Sequence, residues 1–437
     1  MTSRADAPAR PLVERLSLRF EAIPLPRLRR ALLVSYLLLA AADAAGKTLA
    51  ADPRVNAMAH AFVTGRAEAQ LDHAIRPSGN FEIFRGAARH LVAGQDLYAE
   101  YPAEHTDRFK YSPTFALLFV SFAWLPWPLA LFLWNALGAL LLFTAVERVL
   151  PGRRAALVMT LLVLELLRGM QNAQSNALVA AFIVLAFGMM ERRHAWRAAF
   201  AIGAGACVKI FPVAALAFAI PRRRTVRTGL AVGVVGATLV LLPLLVASPT
   251  ELAAQYASWR NVEAIDVTER WFSIMALVHC VTGAGWPNWP FQLLGTVALL
   301  MPLVLGRARW DEARFRLLFL CALLLYVVLF NHQAERAAYV IAFTGATIWY
   351  VVEPRARWRT TLYGIAALTI PVMSTLIPGA WVRTPEMMTY RLALPCLVIW
   401  LVIQRELWRA APRVEPVPIG SDEAGVELDL DVALQGR

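Results

Sequence analysis

The stretch PWPLALFLWNALGALLLFTAVERVLPGRR, residues 126–154, decides the fold class. No charged side chain occurs between residues 126 and 146, a length that lets a helix cross the roughly 30 Å hydrocarbon core of a bilayer. Three arginines, Arg148, Arg153 and Arg154, follow at once, as expected where a helix ends on the cytoplasmic side. The stretch therefore predicts a transmembrane helix whose C-terminal end lies inside the cell.

The composition of the whole chain agrees with this interpretation. Of the 437 residues, 58% are hydrophobic and 17% are charged, and the mean hydropathy is +0.52. Soluble proteins use roughly 45–50% apolar residues. Apolar runs of helical length recur from Ala31 to Val402, which predicts an all-α polytopic membrane protein. The net charge of +12 comes largely from short arginine clusters between these runs, so we interpret it as a topology signal rather than nucleic-acid binding.

The arginine clusters fix an expected topology of about twelve spans with both termini in the cytoplasm. We expect a basic cytoplasmic N-terminus at 1–30, a transmembrane domain at 31–404, and a cytoplasmic, disordered tail at 405–437. Segments 50–112 and 248–288 are expected outside. The predicted helices are 31–49, 126–147, 155–168, 174–190, two short ones within 195–220, 226–247, 289–306, 316–331, 335–352, 360–377 and 387–403.

Cysteines and histidines give no sign of a disulfide or a metal. No two histidines have a spacing suited to a metal ion, so neither a metal nor a cofactor is predicted. The four cysteines lie in apolar sequence without paired spacing and are expected to be small buried side chains: Cys207, Cys280, Cys321 and Cys396.

The first external segment contains an amphipathic stretch, NFEIFRGAARHLVAG at residues 80–94. Apolar side chains recur at three- and four-residue steps from Phe81 to Leu91, with Asn80 as a helix cap and Gly94 as a stop. Such a helix either lies flat on the outer leaflet or also frames a site. A second short helix, 112–124, is expected to dip into the outer leaflet, because it is too short to span.

Between these two helices, titratable residues crowd the point where the chain enters the membrane, in HTDRFKYSPTFALLF at 105–119. Charge at a membrane edge is costly and often marks a site, although a solvated loop end is the simpler alternative. A carboxylate partly desolvated there suits a general base. Asp107 is our first candidate, Glu104 the second and Glu82 the third, with His105 as a possible proton relay.

Other polar residues on the expected external side are candidates for substrate binding. Lys209 lies within a long apolar stretch and either anchors at the interface or pairs with an anion. The remaining candidates either cap helix ends or bind sugar hydroxyls: Lys110, Tyr111, Gln171, Asn172, His332 and Glu335.

Four motifs together resemble glycosyltransferase family 87, the DUF2029 group, over about residues 30–405. They are GQDLY at 94–98, KYSPTFALLF at 110–119, MQNAQSNALVAAFIVLAF at 170–187 and VKIFPVAAL at 208–216. That family contains polyprenyl-phosphate-mannose-dependent α-mannosyltransferases of GT-C fold. The resemblance implies a GT-C-like fold in a bacterial-type cytoplasmic membrane. It also implies an external active site, an inverting transfer from a lipid-linked donor, and a glycan or glycolipid acceptor.

The sequence departs from the family pattern at one position. The resemblance implies that the catalytic aspartate lies just ahead of the GQDLY motif, and the matching residue here is Asn80. A neutral amide cannot accept the proton of an acceptor hydroxyl, so an active enzyme needs another base. Two alternatives remain open: a non-catalytic subunit for envelope-glycan assembly, and a lipid or glycan transporter, against which the lack of internal repeats argues.

Overall fold

The described part of the chain is helical and contains no strand. It comprises residues 22–51, 54, 79–105, 107–377 and 384–409 of a computed structural model. Most of the predicted N-terminus and tail, and much of the first external segment, lie outside these residues. The α-helices are α1 (Leu25–Ala50), α2 (Gly79–Val92), α3 (Pro113–Ala123), α4 (Trp127–Val149), α5 (Gly152–Gln171), α6 (Asn176–Glu191), α7 (Ala195–Val208), α8 (Thr225–Leu241), α9 (Pro249–Ile265), α10 (Ile274–Thr282), α11 (Trp289–Leu305), α12 (Ala313–Leu329), α13 (Tyr339–Val352), α14 (Arg357–Ala367), α15 (Met373–Leu376) and α16 (Pro385–Trp408).

Among the described residues, four helical segments are long and apolar enough to cross a membrane. They are α1, α4, α16 and the continuous segment Thr225–Leu245, in which a 3₁₀ turn extends α8. Shorter apolar helices are α3, α6, α7, α11 and Arg336–Val352. These features are those of an all-α membrane protein, and the count of twelve spans stays a prediction.

The centre of the bundle is formed by α4, α6, α12 and α13. Helices α6, α12 and α13 are buried on nearly every face, which explains why their sequences are apolar all round rather than amphipathic. By contrast, α8 and α11 leave most of their apolar side chains exposed, as expected for helices that face lipid. All four cysteines are free. Three are buried, as predicted, whereas Cys280 is only half-buried, so the prediction is wrong for that residue.

The two short helices predicted within 195–220 are separated by a break near residues 207–212. Helix α7 ends at Val208, and a 3₁₀ helix, Phe211–Ala219, follows in place of the second predicted α-helix. Pro212 cannot donate to a helical ladder, and its ring packs against Gly205. A Cβ atom at Gly205 would lie 2.8 Å from the Pro212 ring, so only glycine permits this close approach. Lys209 occupies the turn in an extended conformation.

The two segments predicted to be external, with α3 at the end of the first, contain four helices that are too short or too polar to span: α2, α3, α9 and α10. Helix α3 has 11 residues and is about 16 Å long. It agrees with the expected short helix at 112–124. Ser112 caps it by accepting a hydrogen bond from the Phe115 amide. Helices α9 and α10 both lie in segment 248–288, for which no helix was predicted.

Buried ion pairs join the helices at one end of the bundle. Arg316 donates to both carboxylate oxygens of Glu191 at 2.8 and 2.9 Å, and Arg222 also contacts Glu191 at 3.3 Å. Nearby, Arg314 pairs with Glu353 at 2.7 Å, and Arg359 pairs with Glu406 at 2.5 Å. Glu191 is the last residue of α6 and Asn176 is the first. The ion pairs therefore lie about 24 Å from the N-terminal end of that helix.

Candidate active site

A cavity of about 440 Å³ lies where the two segments predicted to be external meet the helix ends. Its lining comes from segments that are far apart in sequence, and it contains charges of both signs beside aromatic rings. The polar and aromatic lining residues are Asn80, Asp107, Arg108, Lys110, Tyr111, Lys209, Tyr256, Trp259, Arg260, Glu263, Trp271, Gln333 and Glu335.

Lys209 and Tyr111 face each other in this cavity. The Lys209 Nζ atom lies 5.8 Å from the centre of the Tyr111 ring, a cation–π arrangement. Ser112, next to Tyr111, donates from its hydroxyl to the carbonyl of Cys207 at 2.6 Å, which ties the start of α3 to the end of α7. No carboxylate among the described residues pairs with Lys209, so its charge is available to an anion.

Tyr111 itself is fixed by two further hydrogen bonds. Its hydroxyl accepts from Ser175 at 3.2 Å, and its backbone carbonyl accepts from the hydroxyl of Tyr98 at 2.7 Å. Burial raises the pKa of Tyr111, and Lys209 offsets only part of that rise. The ring is therefore neutral at physiological pH and a rigid wall of the cavity.

Asp107 reaches the cavity from a segment held by His105. The His105 side chain is 4% exposed, and its Nδ1 atom lies 2.6 Å from the backbone oxygen of Asp107. Since a carbonyl only accepts, Nδ1 carries the hydrogen. The Asp107 carboxylate accepts from the Arg108 amide at 2.8 Å and remains exposed. It lines the 440 Å³ cavity and two adjoining ones.

The other two candidate bases lie elsewhere. Glu104 is 3.2 Å from Nε2 of His90, and Glu82 accepts a hydrogen bond from the Trp127 indole. Both line a separate pocket of about 390 Å³, together with Gly86 and other residues of α2. At 100° per residue, Glu82 lies about 200° around the helix from Asn80. The structure thus brings only Asp107 of the three to the main cavity.

Asn80 stands at the cavity but is not the cap of α2, because that helix already begins at Gly79. Its side-chain amide donates to the backbone carbonyl of Asn172 at 3.0 Å. Asn80, Asp107, Trp271 and Glu335 also line a second cavity of about 540 Å³, so these four residues form a wall shared by two cavities.

The remaining predicted binding residues are only partly brought together. Lys110 and Glu335 line the main cavity, whereas Asn172 lines the second one. Gln171 accepts a hydrogen bond from Arg168 at 3.2 Å, and the Nδ1 atom of His332 lies 3.1 Å from Nε2 of Gln292. Neither Gln171 nor His332 is in the lining of the two cavities.

Comparison with known families supplies the identity. The family model of glycosyltransferase family 87 matches residues 109–331, just over half of the chain. The chain belongs to glycosyltransferase family 87. It is therefore a membrane glycosyltransferase by family, a class that acts on a sugar donor and an acceptor. No curated protein matches the chain significantly.

The matched region of family 87 contains most of the main cavity. It includes Lys209, Tyr111 and helix α9, and it ends at Asn331. Asn80, Asp107 and Glu335 lie outside the match. Of the wall shared by the two cavities, only Trp271 lies inside the match. The roles of the other three residues have to be argued from geometry.

In this family 87 member, helix α9 contributes four residues to the lining of the main cavity, and none of them was predicted from the sequence. They recur at three- and four-residue steps and so occupy one helical face, a signal that the polar character of the segment obscured. Trp271 and Gln333 were also missed. The residues on α9 are Tyr256, Trp259, Arg260 and Glu263.

The GQDLY motif holds α9 in place. Gln255 accepts from the Leu97 amide at 3.0 Å and donates to the Gln95 carbonyl at 2.8 Å. Asp96 accepts from the hydroxyl of Ser258 at 3.3 Å. This motif therefore acts in the site indirectly, by positioning the α9 side chains over the cavity. Among the described residues, no group of three or more histidine, cysteine or carboxylate side chains is arranged to hold a metal.

Proposed function

We propose that the protein transfers a hexose, with mannose as the first candidate, from a polyprenyl-phosphate donor to an extracytoplasmic glycan or glycolipid. The cavity would face the outside of a bacterial-type cytoplasmic membrane, with both termini inside. The observation that carries this proposal is that one cavity contains both Lys209, which has no carboxylate partner among the residues that the structure describes, and an exposed carboxylate, Asp107.

Lys209 is suited to the departing phosphate and Asp107 to the acceptor hydroxyl. As the bond between the anomeric carbon and the phosphate oxygen breaks, negative charge grows on the departing polyprenyl phosphate and positive charge on the sugar ring. Lys209 stabilises the phosphate, with Arg260 as a second cation in the same cavity. Ile210, which is 62% exposed at the cavity lining, offers an apolar surface to the first isoprene units.

Asp107 serves as the general base on the acceptor side. An acceptor hydroxyl attacks the anomeric carbon from the face opposite the phosphate, its oxygen forms the new glycosidic bond, and its proton passes to Asp107. One displacement inverts the anomeric configuration. The donor needs no nucleotide, since its activating group is the lipid phosphate itself.

The test is transfer by the purified protein in lipid nanodiscs, with radiolabelled polyprenyl-phosphate mannose as donor and an alkyl mannoside as acceptor. Asp107→Asn should lower the transfer rate by about 10²–10⁴-fold. Glu82→Gln and Glu104→Gln are matched controls, because both carboxylates face another pocket. If all three variants keep near-full activity, the assignment of the base is wrong.

A second candidate function has its own observation. Asn80 stands where the family resemblance implies an aspartate, and it is used as a hydrogen-bond donor. A non-catalytic subunit for envelope-glycan assembly would keep the cavity and lose the base. Wild-type protein that binds polyprenyl-phosphate sugars, yet transfers none of them to any acceptor, would favour this second function.

A further inference from the structure

One residue on the wall shared by the two cavities, Trp271, has no role in the reaction as described above. Trp271 lines both cavities and is 47% exposed. The other three members of the wall are an amide and two carboxylates, from Asn80, Asp107 and Glu335. A half-exposed aromatic ring surrounded by hydrogen-bonding groups is a composition suited to a polar ligand with an apolar face.

The position of Trp271 is set by contacts between two distant external segments. The Phe272 amide donates to the carbonyl of Ala334 at 3.1 Å, and the Tyr339 hydroxyl donates to the carbonyl of Phe272. These bonds place Trp271 and Glu335, which flank the bonded pair in sequence, at the same edge of the cavities. The relative position of Trp271 and Glu335 is therefore set by backbone contacts and not by the indole ring.

Glu335 complements the ring. Its side chain is exposed, and no described residue donates a hydrogen bond to the two carboxylate oxygens. Carboxylate oxygens accept strongly from hydroxyl groups. On a pyranose, several C–H groups point from one face of the ring and carry partial positive charge, which favours packing on the negative face of an indole.

We infer that Trp271 and Glu335 form a subsite for the pyranose ring of the hexose being transferred. The inference rests on the proposed function for the donor. The junction of the two cavities is where the anomeric carbon must lie if the phosphate is held at Lys209 in the first cavity and the acceptor enters through the second. Trp271 then fixes the plane of the sugar, and Glu335 accepts from its hydroxyls.

The test compares the affinity of two lipids in nanodiscs, polyprenyl-phosphate mannose and bare polyprenyl phosphate. Trp271→Ala should weaken binding of the mannosylated lipid by about tenfold or more and leave that of the bare lipid unchanged. Trp271→Phe, which keeps a ring, should recover most of the loss. Trp286→Ala is the matched control, since Trp286 has a similar exposure, 54%, in the same segment but lies outside the lining of both cavities.

The possible results distinguish failure of the subsite from failure of the proposed donor. No loss, or an equal loss for both lipids in Trp271→Ala, would overturn the subsite, and the second result would make Trp271 an interfacial anchor. If wild-type protein binds neither lipid, the proposed donor fails, and photo-crosslinking with a diazirine-bearing alkyl mannoside decides on the subsite. Crosslinks at residues 271–272 that Trp271→Ala abolishes would support it, and crosslinks confined to other segments would refute it.

Discussion

The side chain of Asn80 donates a hydrogen bond to the backbone carbonyl of Asn172, 3.0 Å away. An ionised aspartate at this position has no hydrogen to donate and would be repelled by that carbonyl. Its carboxylate would therefore turn away from Asn172, and both cavities lined by residue 80 are open to it. The neutral residue is thus part of a packing contact, and its replacement has a defined structural result.

That result gives a rescue experiment. We expect Asn80→Asp, added to the inactive Asp107→Asn variant, to restore transfer by at least about tenfold, a fraction of the 10²–10⁴-fold that a general base contributes. Single-turnover transfer from polyprenyl-phosphate mannose measures it. Asn80→Ala in the same background is the control and should restore nothing. Absence of rescue in a double variant that still binds donor would show that position 80 cannot serve the acceptor hydroxyl.

Lys209 is expected to bind the donor phosphate. Lys209→Met keeps the length of the side chain and removes its charge, so donor affinity should fall by about 10–100-fold, the value of a hydrogen bond to a charged group. Lys209→Arg should retain most of the affinity. Equilibrium binding of polyprenyl phosphate in nanodiscs is the measurement. Unchanged affinity in the methionine variant would return Lys209 to the role of an interfacial anchor.

His105 is expected to position Asp107 rather than to contact substrate. His105→Phe keeps a ring in the buried site but loses the Nδ1 hydrogen bond to the Asp107 carbonyl, so the carboxylate should be misplaced. We expect kcat to fall by about 10–100-fold with the donor KM unchanged. His90→Phe is the control, because His90 contacts Glu104 and not Asp107. A parallel rise in KM would argue against a positioning role.

The buried pair of Arg336 and Glu165 is expected to stabilise the fold strongly. Arg336 donates to both oxygens of Glu165 at 2.6 and 2.9 Å, and Glu165 is 1% exposed. Arg336→Met leaves a buried carboxylate uncompensated, which typically costs about 3–5 kcal/mol of unfolding free energy. In Arg29→Met, which breaks the exposed pair with Glu147, the loss should be about 0–1 kcal/mol.

Unfolding of both variants in detergent, followed by tryptophan fluorescence, measures this difference. The double variant Glu165→Gln with Arg336→Met should recover part of the lost stability, because no charge then remains unpaired. Equal stability of Arg336→Met and Arg29→Met would contradict the importance of burial for this pair.

The topology predicts opposite accessibility for the two ends of the segment Thr225–Leu245. In a Cys280→Ala background, Thr250→Cys should react with a membrane-impermeant maleimide added to intact cells. Thr225→Cys should react only after the membrane is permeabilised. Both positions are exposed to solvent or lipid, so burial does not confound the comparison. Labelling of Thr225→Cys alone in intact cells would show that the predicted membrane topology is reversed.

Much of the fold could be predicted because its signals are local. The break after Val208 follows from Pro212, and the stop after α2 follows from Gly94, which adopts a left-handed φ of +69°. The amphipathic period of α2 is likewise a property of its own sequence. Lys209 was identified for the same reason, as a charge inside an apolar stretch.

The parts that were missed depend on contacts between distant segments. Helix α9 buries only Leu252, Gln255 and Val262, so it has no apolar stripe to reveal it, and Gln255 is held by the GQDLY motif some 160 residues earlier. Glu104 and Asp107 are three residues apart in one loop, yet they face different cavities because His90 and His105 hold them separately. Spacing in sequence carries no such information.

The buried ion pairs at the C-terminal end of α6 oppose any opening of the bundle at that end. A carrier that alternates its access must open each end in turn, and here that would pull Arg316 from Glu191 and Arg359 from Glu406. Separating buried, hydrogen-bonded charges costs several kcal/mol for each pair. The pairs hold this end of the bundle closed. If it faces the cytoplasm, as the arginine clusters predict, substrates enter and products leave by the opposite, outer face.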